Sequence, residues 1–142
     1  MRGASSENTT KTTTTVISHF AMIDFYTWST PNGRKVSIML EECALPYRVH
    51  KINIGTNSEQ FTPEYLKINP KGRVPALITD SGILTETPAI LAYIAQVFPK
   101  ADLAPLADPF AFGQAQAFNS YLCSTAHVNH AHLGRGSRWA ED

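Results

Sequence analysis

The sequence predicts a two-layer α/β unit over Ile23–Phe98 with a long helix after it. Three observations carry that prediction. Val36, Met39, Leu40, Cys43 and Ala44 recur at the i, i+3, i+4, i+7, i+8 spacing of one helix face. Strand-like runs flank this helix, the second alternating polar and apolar residues as Tyr47-Arg48-Val49-His50-Lys51-Ile52. Thr87-Pro88 and Asp108-Pro109 each put a capping side chain directly before a proline, which marks a helix start.

In chain order, Ile23–Thr27 reads as a strand and Trp28–Gly33 as a polar turn. Ser29 or Thr30 can cap the first helix, with Pro31 near its first position and Pro46 ending it. The second strand follows, and Glu64–Ile68 suits a short helix. Asn69-Pro70-Lys71-Gly72-Arg73 then turns the chain into Val74-Pro75 and the strand Ala76–Thr79. Proline cannot donate to a ladder, so it belongs at a strand start or on an edge. A cis Val74-Pro75 bond would reverse the chain and leave the Val74 N–H and C=O facing outward, a backbone clamp for an extended peptide. Asp80-Ser81-Gly82 is a tight turn, and Ile83–Thr85 can pair back as a hairpin. Thr87 reads as the N-cap of a helix through Phe98 that is apolar nearly all round, which implies burial on several sides. After a linker over Lys100–Ala107, a helix runs from Asp108-Pro109 to about His132 and stops at Gly134-Arg135-Gly136, with another helix start expected over 137–142.

Strand-helix-strand followed by strand-strand-helix is a layered α/β arrangement. The expected divisions are a Ser/Thr-rich disordered leader over 1–21, an α/β domain over 22–100 and a partial helical domain over 101–142. The leader lacks the apolar core of a signal peptide, and Met22 stands where an alternative start would fall. Twelve basic residues balance twelve acidic ones with no run of either sign, so no footprint for nucleic acid or an anionic membrane is expected. No apolar stretch approaches the roughly 20 residues of a membrane span. The two cysteines, Cys43 and Cys123, form no C-x-x-C pair, and this usage fits a cytoplasmic setting. His127, His130 and His132 recur along one helix, but no carboxylate or cysteine completes a ligand set, and no metal is expected.

A Ser/Thr-x-Asn turn after the first strand, Val-Pro before the third and Glu-Thr opening the third helix fall in one fixed order. Together they resemble the glutathione transferase family and its thioredoxin-like N-terminal domain. Asp24-Phe25-Tyr26-Thr27-Trp28-Ser29-Thr30-Pro31-Asn32-Gly33-Arg34-Lys35-Val36 is most similar to the bacterial and fungal nu-type members, which pair this architecture with glutathione-dependent disulfide reduction. The resemblance runs from Met22 to the end of the sequence and implies a C-terminally truncated member with an incomplete all-α domain.

That resemblance implies glutathione as co-substrate, with Val74 beside Pro75 pairing with its cysteinyl unit. Thr87 and the helix start would hold the γ-glutamyl carboxylate while Glu86 faces its ammonium. Read alone, Glu86-Thr87-Pro88 is equally a plain helix cap. Thr30 and Asn32 match the catalytic donors to the sulfur, although they also suit a cap and a turn. Lys51 and Arg73 either meet the glycine carboxylate or are solvated charges, and His127 is either a contact at the electrophile site or a structural residue. The turn holds no cysteine, unlike the beta-type relatives, and Cys43 reads as a small hydrophobe. The implied activity is conjugation of glutathione to electrophiles, as in detoxification, or disulfide reduction, by a homodimer. The rival expectation is a non-catalytic glutathione-binding or interaction module, or an inactive fragment.

Overall fold

A computed structural model describes residues 22–135; the expected leader over 1–21, the Gly136 end of the stop signal and the helix start over 137–142 lie outside the described residues. Strand β1 (Ile23–Thr27) buries Ile23, Phe25 and Thr27 and leaves Asp24 and Tyr26 half-buried, so its two faces differ in character. It pairs in parallel with β2 (Tyr47–Lys51) through the crossover helix α1 (Pro31–Glu42). Strand β3 (Ala76–Thr79) runs antiparallel to β1, and β4 (Gly82–Thr85) antiparallel to β3. The sheet order is β2-β1-β3-β4, the four-stranded arrangement of a thioredoxin-like domain. Thr79 pairs with Gly82, so the hairpin loop is Asp80-Ser81, and Gly82 takes a φ of +126° that only glycine adopts without strain.

Helix α1 starts as its sequence predicts, with the Thr30 hydroxyl accepting the Gly33 N–H at 3.1 Å. A Cβ on Gly33 would come within 2.6 Å of the Trp28 carbonyl oxygen, so this corner requires glycine. The helix stops at Glu42, two residues short of the apolar repeat ending at Ala44. Ala44 is left-handed (φ 50°). The Leu45 N–H returns to the Leu40 carbonyl at 3.1 Å and the Ala44 N–H to that of Glu41 at 2.9 Å, a Schellman closure that satisfies two carbonyls of the last turn.

Helix α3 (Thr87–Val97) packs with α1 over one face of the sheet. Phe25, Val36, Leu40, Leu77, Ile90 and Ile94 meet there with no exposed surface, and Ile23 and Leu45 complete the cluster. Burying each such side chain contributes about 1.5–3 kcal/mol. The other face carries Tyr26, whose ring stacks on His50 at 4.3 Å and tilts toward Tyr65 at 6.2 Å. Tyr65 belongs to the short helix α2 (Pro63–Leu66), which a single 3-10 turn at Glu59–Phe61 precedes.

Two expectations about helices change. The cap of α3 is Glu86, not Thr87: the Glu86 carbonyl already accepts the Ile90 N–H at 3.0 Å, which makes Thr87 the first helical residue. The helix expected from Asp108 to His132 is α4 (Pro109–Tyr121), a π turn over Leu122–Ala126 and α5 (His127–Arg135). Asp108 caps α4 as predicted, accepting the N–H groups of Phe110 and Ala111 at 2.9 and 3.0 Å. The π turn contains neither glycine nor proline, so residue pattern alone does not announce its change of hydrogen-bond register. Among the described residues, α4 buries no side chain, and Phe110, Phe118 and Tyr121 are largely exposed. No described helix is long and apolar enough to cross a membrane.

The core predicts its own sensitivity. Leu40→Ala should lower the unfolding free energy by about 2–5 kcal/mol in urea titrations. Phe110→Ser, at an exposed position, should change it by less than about 0.5 kcal/mol.

Candidate functional site

Strand register brings four separated stretches to one end of the sheet. Thr27 at the exit of β1 pairs with Lys51 at the exit of β2. Tyr26 pairs with Ala76, the first residue of β3, and Ala76 pairs with Thr85, the last of β4. The cap at Thr30, the corner at Val74-Pro75 and the start of α3 at Glu86-Thr87 therefore follow or precede strand ends that are neighbours. Helices α1 and α3 both begin there, so both positive dipole ends lie at this edge.

The Val74-Pro75 bond is cis, as the sequence reading required. Val74 is half-buried, and among the described residues neither its N–H nor its C=O has a hydrogen-bond partner. The residue before it is held firmly. The Arg73 carbonyl accepts both the Tyr65 hydroxyl and the Asn69 side-chain N–H, each at 2.7 Å. Asn69 also accepts the Lys71 N–H at 3.2 Å through its side chain and the Gly72 N–H at 2.9 Å through its carbonyl, closing the turn around itself. Gly72 is left-handed (φ +60°), and a Cβ there would come within 2.6 Å of the Phe61 ring. Burial pushes the Tyr65 phenol up to about 12, with the nearby Asn69 side chain pulling the other way and Tyr26 adding slightly to the rise.

The remaining candidate residues divide clearly. Thr30 spends an acceptor position on Gly33, which leaves its O–H proton available to donate. Asn32 accepts from the Lys35 ammonium at 3.3 Å, and since an ammonium can only donate, this fixes the amide oxygen and leaves the NH2 group unengaged among the described residues. Thr87 is 8% exposed and its hydroxyl has no side-chain hydrogen bond among the described residues. Glu86 is exposed, adopts a φ of 71° that costs of order 1–3 kcal/mol for a non-glycine residue, and pairs with Lys71 at 2.7 Å. Lys51 and the Arg73 side chain are exposed at the same sheet end. His127 opens α5 on an exposed surface, directly after the π turn. Burial, followed by the Glu42 carboxylate, pushes the Cys43 thiol up, opposite to the shift of an activated thiolate. No group of three or more His, Cys, Asp or Glu among the described residues could hold a metal ion.

Sequence reasoning missed Lys71, Tyr65 and Asn69. Lys71 meets a partner fifteen residues away, which local pattern does not encode. Tyr65 left a usable signal: a tyrosine on a short helix next to a Pro-Gly turn must satisfy its hydroxyl if buried.

Residues 30–97 match the family profile described as the N-terminal domain of glutathione S-transferase. Residues 30–97 carry a glutathione S-transferase N-terminal domain. The Escherichia coli disulfide-bond oxidoreductase YfcG is 42% identical over 82 residues, which cover 53% of this chain and 38% of that one. Protein URE2 of Candida albicans is 43% identical over 75 residues, 51% of this chain and 22% of the relative. Among solved structures, a glutathione transferase homologue from Sulfitobacter with bound glutathione superposes with a TM-score of 0.77 at 48% identity, over 85% of this chain and 58% of that one. A Burkholderia graminis glutathione transferase, with two glutathione molecules bound per subunit, superposes with a TM-score of 0.73 at 32% identity, over 84% and 51%. The chain thus spans less than two thirds of the length of each of these relatives.

The raised Tyr65 phenol predicts an alkaline window. Its folded value lies above the ordinary value of 10, so the folded state holds a proton that the unfolded state releases. The corresponding stability is complete below pH 10 and is lost as pH rises toward about 12. Phenolate absorbance titration should show a late-ionising tyrosine that is absent from Tyr65→Phe.

Proposed function

We propose that this protein binds glutathione in the groove beside Val74-Pro75 and uses its thiolate for conjugation to electrophiles or for disulfide reduction. The observation that carries the reading is the Val74 backbone, unpartnered among the described residues and set at the same sheet end as the unengaged donors of Thr30 and Asn32 and the start of α3. Glutathione-bound neighbours support it. An extended peptide can form two ladder-type hydrogen bonds with Val74. The Thr87 hydroxyl and the N-terminus of α3 suit the γ-glutamyl carboxylate. Glu86, already paired with Lys71, suits the adjoining ammonium as part of a mixed-charge cluster. Lys51 or the Arg73 side chain suits the glycine carboxylate.

At the sulfur, the Thr30 O–H and the Asn32 NH2 donate to the thiolate and lower the thiol pKa. Thiolate attack on an electrophilic carbon forms the S–C bond and expels the leaving group. Attack on a disulfide instead gives a mixed disulfide and a free thiolate, and a second glutathione completes the reduction as oxidised glutathione. In this reading the protein is a cytoplasmic homodimer, which the exposed aromatic residues of α4 and the cysteine usage support. The domain division at 100/101 and a contact of His127 with the electrophile belong to the same proposal.

A second reading retains binding without turnover. It is favoured by the same aromatic face, with Phe110 76%, Phe118 61% and Tyr121 55% exposed, since such a surface suits an interaction module.

Calorimetric titration and steady-state kinetics separate the two. Thr87→Ala should weaken glutathione binding by about tenfold. Thr30→Ala should change Kd little, lower kcat and move the acidic limb of the pH–rate profile upward, because the bound thiol loses a donor. Identical titrations for wild type and Thr87→Ala would remove the assignment of that hydroxyl. Wild-type binding with no turnover of either an aryl halide or a disulfide would favour the second reading.

A further inference from the structure

A buried carbonyl needs one hydrogen bond to avoid the cost of desolvation. The Arg73 carbonyl has two, from Tyr65 on α2 and from Asn69 in the following turn, both at 2.7 Å and both from residues 2% exposed. Two donors occupy both lone-pair directions and thus define where the oxygen points as well as satisfying it. The Arg73 carbonyl and the Val74 N–H belong to one trans peptide plane and point in opposite directions across it. Holding that oxygen inward aims the Val74 N–H outward. The donors are themselves immobilised: the Tyr65 ring leans on Tyr26, which is stacked on His50, and the Asn69 amide is anchored at its other end by the Lys71 N–H.

We propose that Tyr65 and Asn69 are positioning residues for ligand recognition, aiming the Val74 N–H at a carbonyl of the bound peptide through their joint hold on the Arg73 carbonyl. This rests on the reading in which the Val74 backbone pairs with glutathione. Neither residue touches the ligand in this account. Their contribution is the preorganisation of a backbone donor that would otherwise sample other directions in the free protein.

The test uses the full chain and Tyr65→Phe, which keeps the ring and loses only the hydroxyl, with Asn69→Asp as a second variant that keeps the acceptor for the Lys71 N–H. NMR on the free proteins reads the clamp directly: the Arg73 carbonyl carbon should move upfield and the Val74 amide resonance should shift. Calorimetry should show Kd raised about three- to tenfold for both glutathione and S-methylglutathione. The pKa of the bound glutathione thiol should be unchanged, because the contact lies on the peptide and not on the sulfur. Leu40→Ala, destabilised in the core and assayed below its unfolding temperature, should keep the wild-type Kd. A shifted Arg73 carbonyl with both Kd values unchanged overturns the positioning role and leaves the glutathione reading standing. An equal loss of affinity in Leu40→Ala overturns it by assigning the effect to general stability. Failure of the wild type to bind either ligand overturns the site reading and this inference with it.

Discussion

The pairing of Phe25 on β1 with Leu77 on β3 is the constraint on which the rest of this structure depends. Both side chains are fully buried and sit opposite each other in an antiparallel ladder at the centre of the sheet. A slip of β3 by one residue would turn Leu77 toward the face where Tyr26 and Asp24 now lie and forfeit about 1.5–3 kcal/mol for each side chain so displaced. The same register sets Ala76 beside Tyr26 and Thr85. The corner before β3 is thereby held next to the exit of β1 and the entry of α3. The hydrophobic layer thus determines the location of a polar site that it does not touch.

Around that corner the polar groups divide into two kinds. Some are fully committed to structure: the Arg73 carbonyl, the Asn69 side chain and the Thr30 acceptor position each have an internal partner. Others are left over among the described residues, namely the Val74 backbone groups, the Asn32 NH2 and the Thr87 hydroxyl. Rigid committed groups that frame unengaged ones are the usual condition for recognition with little ordering cost. The strain at Glu86 fits the same pattern, because its left-handed backbone starts α3 one residue early while its carboxylate reaches back to Lys71. That exposed ion pair is worth little energy, about 0–1 kcal/mol, and mainly ties the turn to the helix start.

Much of this was legible in the residue order because it is local chemistry. Thr30-Pro31 and Asp108-Pro109 announce helix starts through side-chain caps a few residues long, and both form as read. The Asp80-Ser81 hairpin and the strand character of Ile23–Thr27 are likewise short-range signals. Helix ends were less legible. The apolar repeat through Ala44 says which face is buried, but the left-handed Ala44 and its Schellman bonds decide where the helix stops. The π turn at Leu122–Ala126 inserts a change of register into a run whose residues tolerate either geometry.

By itself the sequence determined the kinds of elements, their order, and the motifs whose fixed succession pointed to a glutathione-binding domain. Cap, turn and period are properties of neighbouring residues, and they survive in one dimension. Only the tertiary structure decided that Tyr65 and Asn69 converge on the Arg73 carbonyl and that Lys71 pairs with Glu86. It alone made Glu86 the cap of α3. Those outcomes depend on the direction of one backbone carbonyl and on the approach of segments joined by other strands, which no local pattern specifies.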